Sequence, residues 1–246
     1  MKTVAILQAR TGSSRLPGKV LADLCGKPVL VHCLDRAKAI KGVDAVCLAT
    51  TTSPGDDAVA DLAGNVPGVT IFRGSEADVL GRYLGAAQET GAEVVLRLTC
   101  DCPLIDPEIC AAVIALRAEA EAPYATNVME RDWPHGLDCE AFPMAELEQA
   151  AAEATEPYDR EHVTPYIRRH AGTRAVNLGG PGGAAAEQRW TLDYPEDLAF
   201  LRALFPLLPQ DRRAGWREVM AVIEKHPEIA AINTDRAIPA QGKAAS

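Results

Sequence analysis

The sequence has no run of about eighteen apolar residues, the length a helix needs to span a bilayer, so no membrane insertion is expected. Its opening stretch, MKTVAIL, carries one lysine and too short an apolar segment for a secretory h-region, and reads instead as a buried strand. Paired cysteine spacing is missing as well. Seven cysteines, an odd number without a zinc-ribbon pattern, suit reduced thiols in a cytoplasmic protein rather than a disulfide framework. A basic excess is also absent: 25 Lys and Arg face 34 Asp and Glu, for a formal net charge of −9. A chain of that sign lacks the extended cationic surface that displaces counterions from many phosphates. No nucleic-acid partner is expected, whereas a local pocket for a small anion stays open.

What is present is the composition of an ordinary globular protein, 48% hydrophobic and 24% charged over 246 residues. Such a chain can bury one substantial core. A single domain is expected over residues 1–228, with 123–175 as an acceptor or dimerisation lobe inside it. A C-terminal extension follows at 229–246, its end, IPAQGKAAS, reading as disordered. Short Val/Ile/Leu-rich runs at 3–8, 45–49, 69–72 and 94–98 alternate with helical patterns near 28–40, 56–64 and 77–90. That alternation predicts an α/β fold with a parallel sheet covered on both faces. Pro107 opens a further helix, 107–120. Beyond residue 123 the rhythm changes. Strands are predicted at 124–127, 137–142, 174–178 and 189–193, helices at 143–153, 159–170 and about 213–225, and a flexible loop at 179–186.

In an open parallel sheet the ligand crevice lies beyond the carboxyl ends of the strands. Four polar stretches fall there: QARTGSSRLPGK, TTTSPGDD, RGSEAD and TCDCPLID. The first joins Arg10, Arg15 and Lys19 to Gly12, Gly18, Ser13 and Ser14, so main-chain N–H groups and cations can wrap a polyphosphate. Its spacing, G-x-x-R-x-x-x-K, is neither Walker A nor G-x-G-x-x-G. A solvated basic loop is the competing reading. Asp101, on a proline-stiffened turn after the fourth strand, and Asp193, in RWTLDYPEDL, supply two carboxylates from distant segments. Each alone suits a cap or turn; together, beside phosphates, they suit one Mg²⁺.

The motifs LQARTGSSRLPGKVL, GKPVLVH, LATTTSPGDDAVADLA, FRGSEADVLGRY, LTCDCPLIDP, HGLDCEAF, REHVTPYIR and RWTLDYPEDL follow one another over residues 3–205. In that order they resemble the cytidylyltransferase-like proteins of spore coat polysaccharide biosynthesis. These are similar in turn to the synthetases of CMP-3-deoxy-manno-octulosonate and CMP-acylneuraminates. The resemblance implies a Rossmann-like nucleotide-diphosphosugar transferase fold of glycosyltransferase A type, with a mixed, mostly parallel sheet. It also implies CTP and a small sugar or sugar-acid acceptor as substrates, Mg²⁺, and a homodimer. Carried over by position, it makes Arg10, Gly12, Ser13, Arg15 and Lys19 the triphosphate loop and Asp101 and Asp193 the metal ligands. Thr50, Thr51, Arg73 and Arg82 become base and ribose candidates, and Asp138, Glu140, Arg160, Glu161 and His162 acceptor-side candidates. Position 100 is Cys where the family usually has Gly, and position 11 is Thr where Met is common.

The expected reaction is attack of an acceptor oxygen on the α-phosphorus of CTP, with Arg15 and Lys19 offsetting charge on the departing pyrophosphate. A glycosyltransferase of the same fold is the alternative, but D-x-D is absent from TCDCPLID, and the basic turn suits a free triphosphate better. A non-catalytic binding role is disfavoured by the presence of both acids and all three cations. Cys100, Cys102 and Cys110 lack a second pair and read as structural thiols, as His32 and His135 read as structural. His162 stays open between function and helix packing.

Overall fold

The computed structural model describes residues 1–209 and 213–236. In chain order its elements begin with β1 (Thr3–Gln8), a 3₁₀ turn (Lys19–Leu21), the hairpin β2 (Asp23–Leu24) and β3 (Lys27–Pro28), and α1 (Val29–Ala37). Next come β4 (Ala45–Thr51), α2 (Asp57–Gly64), β5 (Val69–Gly74), α3 (Val79–Thr90), β6 (Val94–Thr99) and α4 (Pro107–Glu119). The second half has β7 (Ala125–Thr126), β8 (Glu140–Pro143), α5 (Met144–Glu153), α6 (Pro157–His162), α7 (Pro165–Ala171) and β9 (Val176–Asn177). It ends with α8 (Gly183–Ala186), α9 (Pro195–Leu204), α10 (Trp216–Lys225) and α11 (Pro227–Ala230).

The main sheet has the order β5-β4-β1-β6-β8-β7-β9, and within it β8 runs against its neighbours while the other pairings are parallel. The fold is therefore mixed α/β with a mostly parallel sheet flanked by helices. The two-residue period of the strands divides the core. Ala5 and Leu7 of β1, with Val46, Leu48, Leu96 and Leu98, pack on the side of α1, α4 and α9. Val4 and Ile6, with Cys47, Ala49 and Val95, pack on Leu80 and Tyr83 of α3, Leu147 of α5 and Ile167 of α7.

The first half follows the expected alternation closely; the second departs from it in several places. Residues 189–193 form no strand, only a single parallel bridge, His135 to Arg189: Trp190 N and Leu192 N donate to the His135 and Asp101 carbonyls (2.6 and 2.7 Å), while the side chains of Asn233 and Asp197 take the Arg189 carbonyl and Asp193 N. The expected strands at 124–127 and 174–178 shrink to two residues each, and that at 137–142 begins at Glu140. The expected helix over 159–170 is two helices. Pro165 disfavours a helical residue before it and cannot donate a backbone bond. Val163 between them sits at φ 71°, a left-handed conformation costly for a β-branched residue. Complete burial of its side chain in the second core holds it there. The loop expected at 179–186 contains α8. The IPAQGKAAS tail lies outside the described residues, whereas Asn233 of the preceding segment is buried and donates to the Arg189 carbonyl (3.0 Å) and Asp197 Oδ1 (2.9 Å).

One carboxylate joins the helices beneath the first core. Asp106 caps α4 by accepting from Glu108 N (2.8 Å) and Ile109 N (3.4 Å), and its other oxygen accepts from Trp216 N (2.8 Å) at the start of α10. Asp106→Ala is expected to lower unfolding free energy by about 1–2 kcal/mol, the range of a lost N-cap. Urea unfolding checks this, and an unchanged midpoint contradicts it.

Candidate active site at the strand carboxyl ends

The parallel register sets Gln8 opposite Thr99, so the chain leaves β1 and β6 at the same edge. After β1 the basic turn folds on itself. Ser13 N and Gly18 N both donate to the Thr11 carbonyl (2.8 and 2.9 Å), and Gly18 at φ 70° lets the chain enter the 3₁₀ turn that begins with Lys19. Asp56, after β4, pins this turn by accepting from Thr11 N (2.7 Å), the Thr11 hydroxyl (2.8 Å) and the Thr51 hydroxyl. Burial pushes the Asp56 carboxyl up, but these hydrogen bonds outweigh it and hold the group below its ordinary range. Thr11, the departure from the usual Met, thus gives the turn a tie to its neighbouring loop.

Lys19 then reaches across the sheet edge. Its Nζ donates to Asp101 Oδ2 (3.0 Å), Asp193 Oδ1 (3.0 Å) and the Leu192 carbonyl (2.7 Å). Arg15 Nη2 lies 2.8 Å from Asp193 Oδ1, its guanidinium 5.0 Å from the centre of the Tyr194 ring. Arg189 Nη2 donates to Asp193 Oδ2 (3.0 Å) and to Asp197 Oδ2 (3.0 Å), while its Nε donates to Asp197 Oδ1 (2.9 Å). Asp197 is fully buried and also accepts from Asp193 N (2.9 Å) and Tyr194 N (3.0 Å), which fixes the backbone that carries Asp193. Gly136, at φ 115°, lets the HGLDC turn press against this segment; a Cβ there would lie 2.6 Å from Thr191 N.

The electrostatics follow from burial opposed by pairing. Desolvation lowers the Lys19 value, and the two aspartates raise it further than burial depresses it. Desolvation likewise raises Asp101, but Lys19, the Thr99 hydroxyl (2.6 Å) and other donors bring it down to about 2. Burial pushes the Cys100 and Cys102 thiols up, so both stay protonated and unreactive.

A cavity of about 410 Å³ opens over these groups. Of the expected residues, Arg10, Gly12, Ser13, Arg15, Lys19, Arg82, Asp101, Glu161, His162 and Asp193 line it, and so does Cys100. Ser14 of the basic turn joins them as expected, and Gln8, Arg97 and Thr99 do so without having been singled out beforehand. Six expected residues lie outside this wall. Thr50 is buried in β4; the Thr51 hydroxyl serves Asp56; Arg73 braces the loop after β4 through the Thr51 carbonyl (2.8 Å), the Ser53 carbonyl (3.0 Å) and Asp57 (2.7 Å). Arg160 clamps Asp78 (2.5 Å) and the Ala151 carbonyl (2.9 Å), and Asp138 pairs with Arg131 (3.5 Å). Glu140 lines a second cavity of about 520 Å³ with Tyr124, Thr164 and Arg168; Arg97 and His162 belong to both cavities. Arg189 and Asp197 lie within RWTLDYPEDL without having been assigned a role there, and Asn233 had no motif to mark it; the four-residue step from Asp193 to Asp197 at a helix start is a usable signal.

A family model described as cytidylyltransferase matches residues 4–222. The chain belongs to the cytidylyltransferase family. It is 32% identical to the spore coat polysaccharide biosynthesis protein SpsF of Bacillus subtilis over 233 residues, 92% of this chain and 95% of the relative. It is 34% identical to the 3-deoxy-manno-octulosonate cytidylyltransferase of Anaeromyxobacter sp. (strain K) over 203 residues, 76% of this chain and 82% of that one. A solved cytidylyltransferase from Leptospira borgpetersenii superposes with a TM-score of 0.87 at 31% identity, covering 94% of this chain and 97% of that one. No helix among the described residues is long and apolar enough to cross a membrane.

A depressed carboxyl value contributes stability that is complete above its ordinary value of 3.8 and is lost as pH falls through about 2. Lys19→Met removes the principal charge that holds Asp101 down. In metal-free protein the Asp101 carboxyl is expected to titrate at higher pH, and acid unfolding to begin earlier on the way down. Carbon-detected NMR titration checks this; an Asp101 transition that stays near 2 contradicts the assignment.

Proposed function

We propose that this cytidylyltransferase transfers CMP from CTP to a sugar or sugar-acid acceptor, with release of pyrophosphate and dependence on Mg²⁺, in surface polysaccharide biosynthesis. The observation that carries the reading is the meeting of Arg15 and Lys19 with Asp101 and Asp193 in one cavity at the strand ends. The names of the relatives support the nucleotide and the acceptor class.

The donor set fits a hard divalent cation. Two carboxylates from separate segments already come within 3.0 Å of a single ammonium, so they can share one positive charge. Two carboxylates suffice for Mg²⁺, which takes few protein oxygens and completes its octahedron with phosphate and water. Mg²⁺ held by Asp101 and Asp193 supplies orientation of the α-phosphate and Lewis acidity.

The chain's own residues do the rest. Main-chain N–H groups and hydroxyls of the basic turn wrap the phosphates, and Arg10 and Arg82 widen the cationic wall. The acceptor oxygen forms its bond to the α-phosphorus as the bond to pyrophosphate breaks, and Arg15 and Lys19 meet the charge that develops on the leaving group. We assign the acceptor hydroxyl's proton to His162, which lines both cavities. The homodimer expected of such enzymes is part of the same reading.

Pyrophosphate release with Mg²⁺, a panel of nucleoside triphosphates and 3-deoxy-manno-octulosonate among other acceptors is expected to select CTP. Lys19→Ala is expected to cut turnover by about 10²–10³, the scale of one lost transition-state donor, when assayed below its own thermal midpoint, which falls because Asp101 and Asp193 lose their shared cation. Turnover that survives the substitution sinks the reading.

Lys19 and Arg15 occupy the carboxylate oxygens a metal would use. Mn²⁺ alone is therefore expected to bind weakly by EPR titration, more tightly once CTP draws the cations to its phosphates, and more tightly without nucleotide in Lys19→Met. Equal Mn²⁺ affinity in all three samples contradicts the shared site.

A further inference from the structure

The basic turn and the two aspartates account for one end of the cleft and leave the other unassigned. One sheet residue belongs to both ends. Arg97, on β6 and 16% exposed, lines the first and the second cavity alike. Its Nη1 donates to Glu140, and the Tyr83 ring centre lies 5.8 Å from the guanidinium carbon. Glu140 also accepts from the Tyr124 hydroxyl (2.5 Å) and the Thr164 hydroxyl (2.7 Å). Three donors thus occupy its carboxylate before any ligand arrives. Arg97 Nη2, by contrast, has no protein partner among the described residues.

A largely buried ion pair kept only for stability is a poor investment beside apolar packing of similar volume. A guanidinium held through Nη1 alone, with Nε and Nη2 unpaired, is instead what recognition of an oxyanion requires, because its planar fork is pre-organised. The second cavity has the matching sign. Arg168 lines it with no carboxylate in ion-pair range among the described residues, whereas Arg169 is taken by Asp159 (2.6 Å).

We propose that Arg97 is the acceptor-orienting side chain of this cleft, its free edge binding an oxyanion on the acceptor, and that Glu140, with Tyr124 and Thr164, is the anchor that positions it. This rests on reading the first cavity as the CTP site. It moves Glu140 from acceptor ligand to support of an acceptor ligand.

The test uses protein loaded with CMP, which cannot turn over, and ligand-detected NMR with three probes: 3-deoxy-manno-octulosonate for a carboxylate, mannose 6-phosphate for a phosphate, and mannose as the neutral control. At least one anionic probe is expected to saturate the wild type. Arg97→Met is expected to weaken it about ten-fold or more, the scale of a charge-assisted hydrogen bond, and to weaken CMP, whose cavity Arg97 also lines, by a clearly smaller factor. Arg97→Lys keeps the charge without the fork and is expected to fall between them; it also serves if Arg97→Met does not fold. Glu140→Gln is expected to weaken the same probe by a smaller factor. Anionic probes that bind the Arg97 variants as well as the wild type, or that do not bind the wild type, overturn the proposal. Failure of CMP and CTP to bind the wild type overturns the cytidylyltransferase reading instead.

Discussion

The structure turns on one ammonium group. Lys19 Nζ lies between Asp101 and Asp193, which are 82 and 174 residues away in sequence, and it is largely buried with them. Removing any member of such a trio leaves a charge in a poor solvent without its counterpart, which costs far more than the pair gains over apolar packing. The three segments that meet there are therefore bound to one another by electrostatic necessity. The supports follow from that need: Asp56 fixes the turn that carries Lys19, and Asp197 with Arg189 fixes the backbone that carries Asp193.

The same necessity bears on how a chain with a net charge of −9 can present a cationic cleft. Net charge is a property of the whole surface, whereas a ligand in a cleft responds to the groups that line it within about one Debye length, near 8 Å in physiological salt. Arg10, Arg15, Lys19, Arg82 and Arg97 line the first cavity against Asp101, Asp193 and Glu161. Two of those acids are already committed to Lys19. The local field is thus cationic, while the acidic exterior keeps the protein from holding polyanions indiscriminately.

Much of this was legible in the sequence, for reasons that differ by region. The first half alternates Val-rich strands with helical patterns, and local burial decides its elements, so 3–8 and 107–119 could be read almost to the residue. The basic turn and the two aspartates were legible because their chemistry is carried by residue type. What failed was whatever depends on distant partners. Residues 189–193 look like a strand, yet Asn233, Asp197 and His135 satisfy their neighbourhood in place of a ladder. Arg73, Thr51 and Arg160 have the polarity of ligand groups, but nearby carbonyls and carboxylates consume it. Polarity shows in a sequence; whether it is already spent does not. Arg97 was missed for the converse reason, since an arginine inside VVLRLT reads as a break in a strand rather than as a lining group.

The two ends of the cleft are built on different principles, and this bears on how such a fold can change its acceptor without losing its donor. The phosphate end rests on strand termini locked by parallel register and on charges that require one another, so a substitution there disturbs several segments together. The other end is walled by α6 and α7, short helices interrupted at Val163, where burial and one bond from Val163 N to the Asp159 carbonyl (2.9 Å) stand in for a continuous hydrogen-bond ladder. Side chains on such short segments can be exchanged at modest cost, because few backbone bonds depend on them. Arg97 and Glu140 stand where the two regimes meet, one on the rigid sheet and one on the reversed strand beside it. A pair in that position conveys the stiffness of the sheet to a less regular pocket, so under the proposed function acceptor shape could change on the helices while an anionic group held by Arg97 stays in register with the nucleotide.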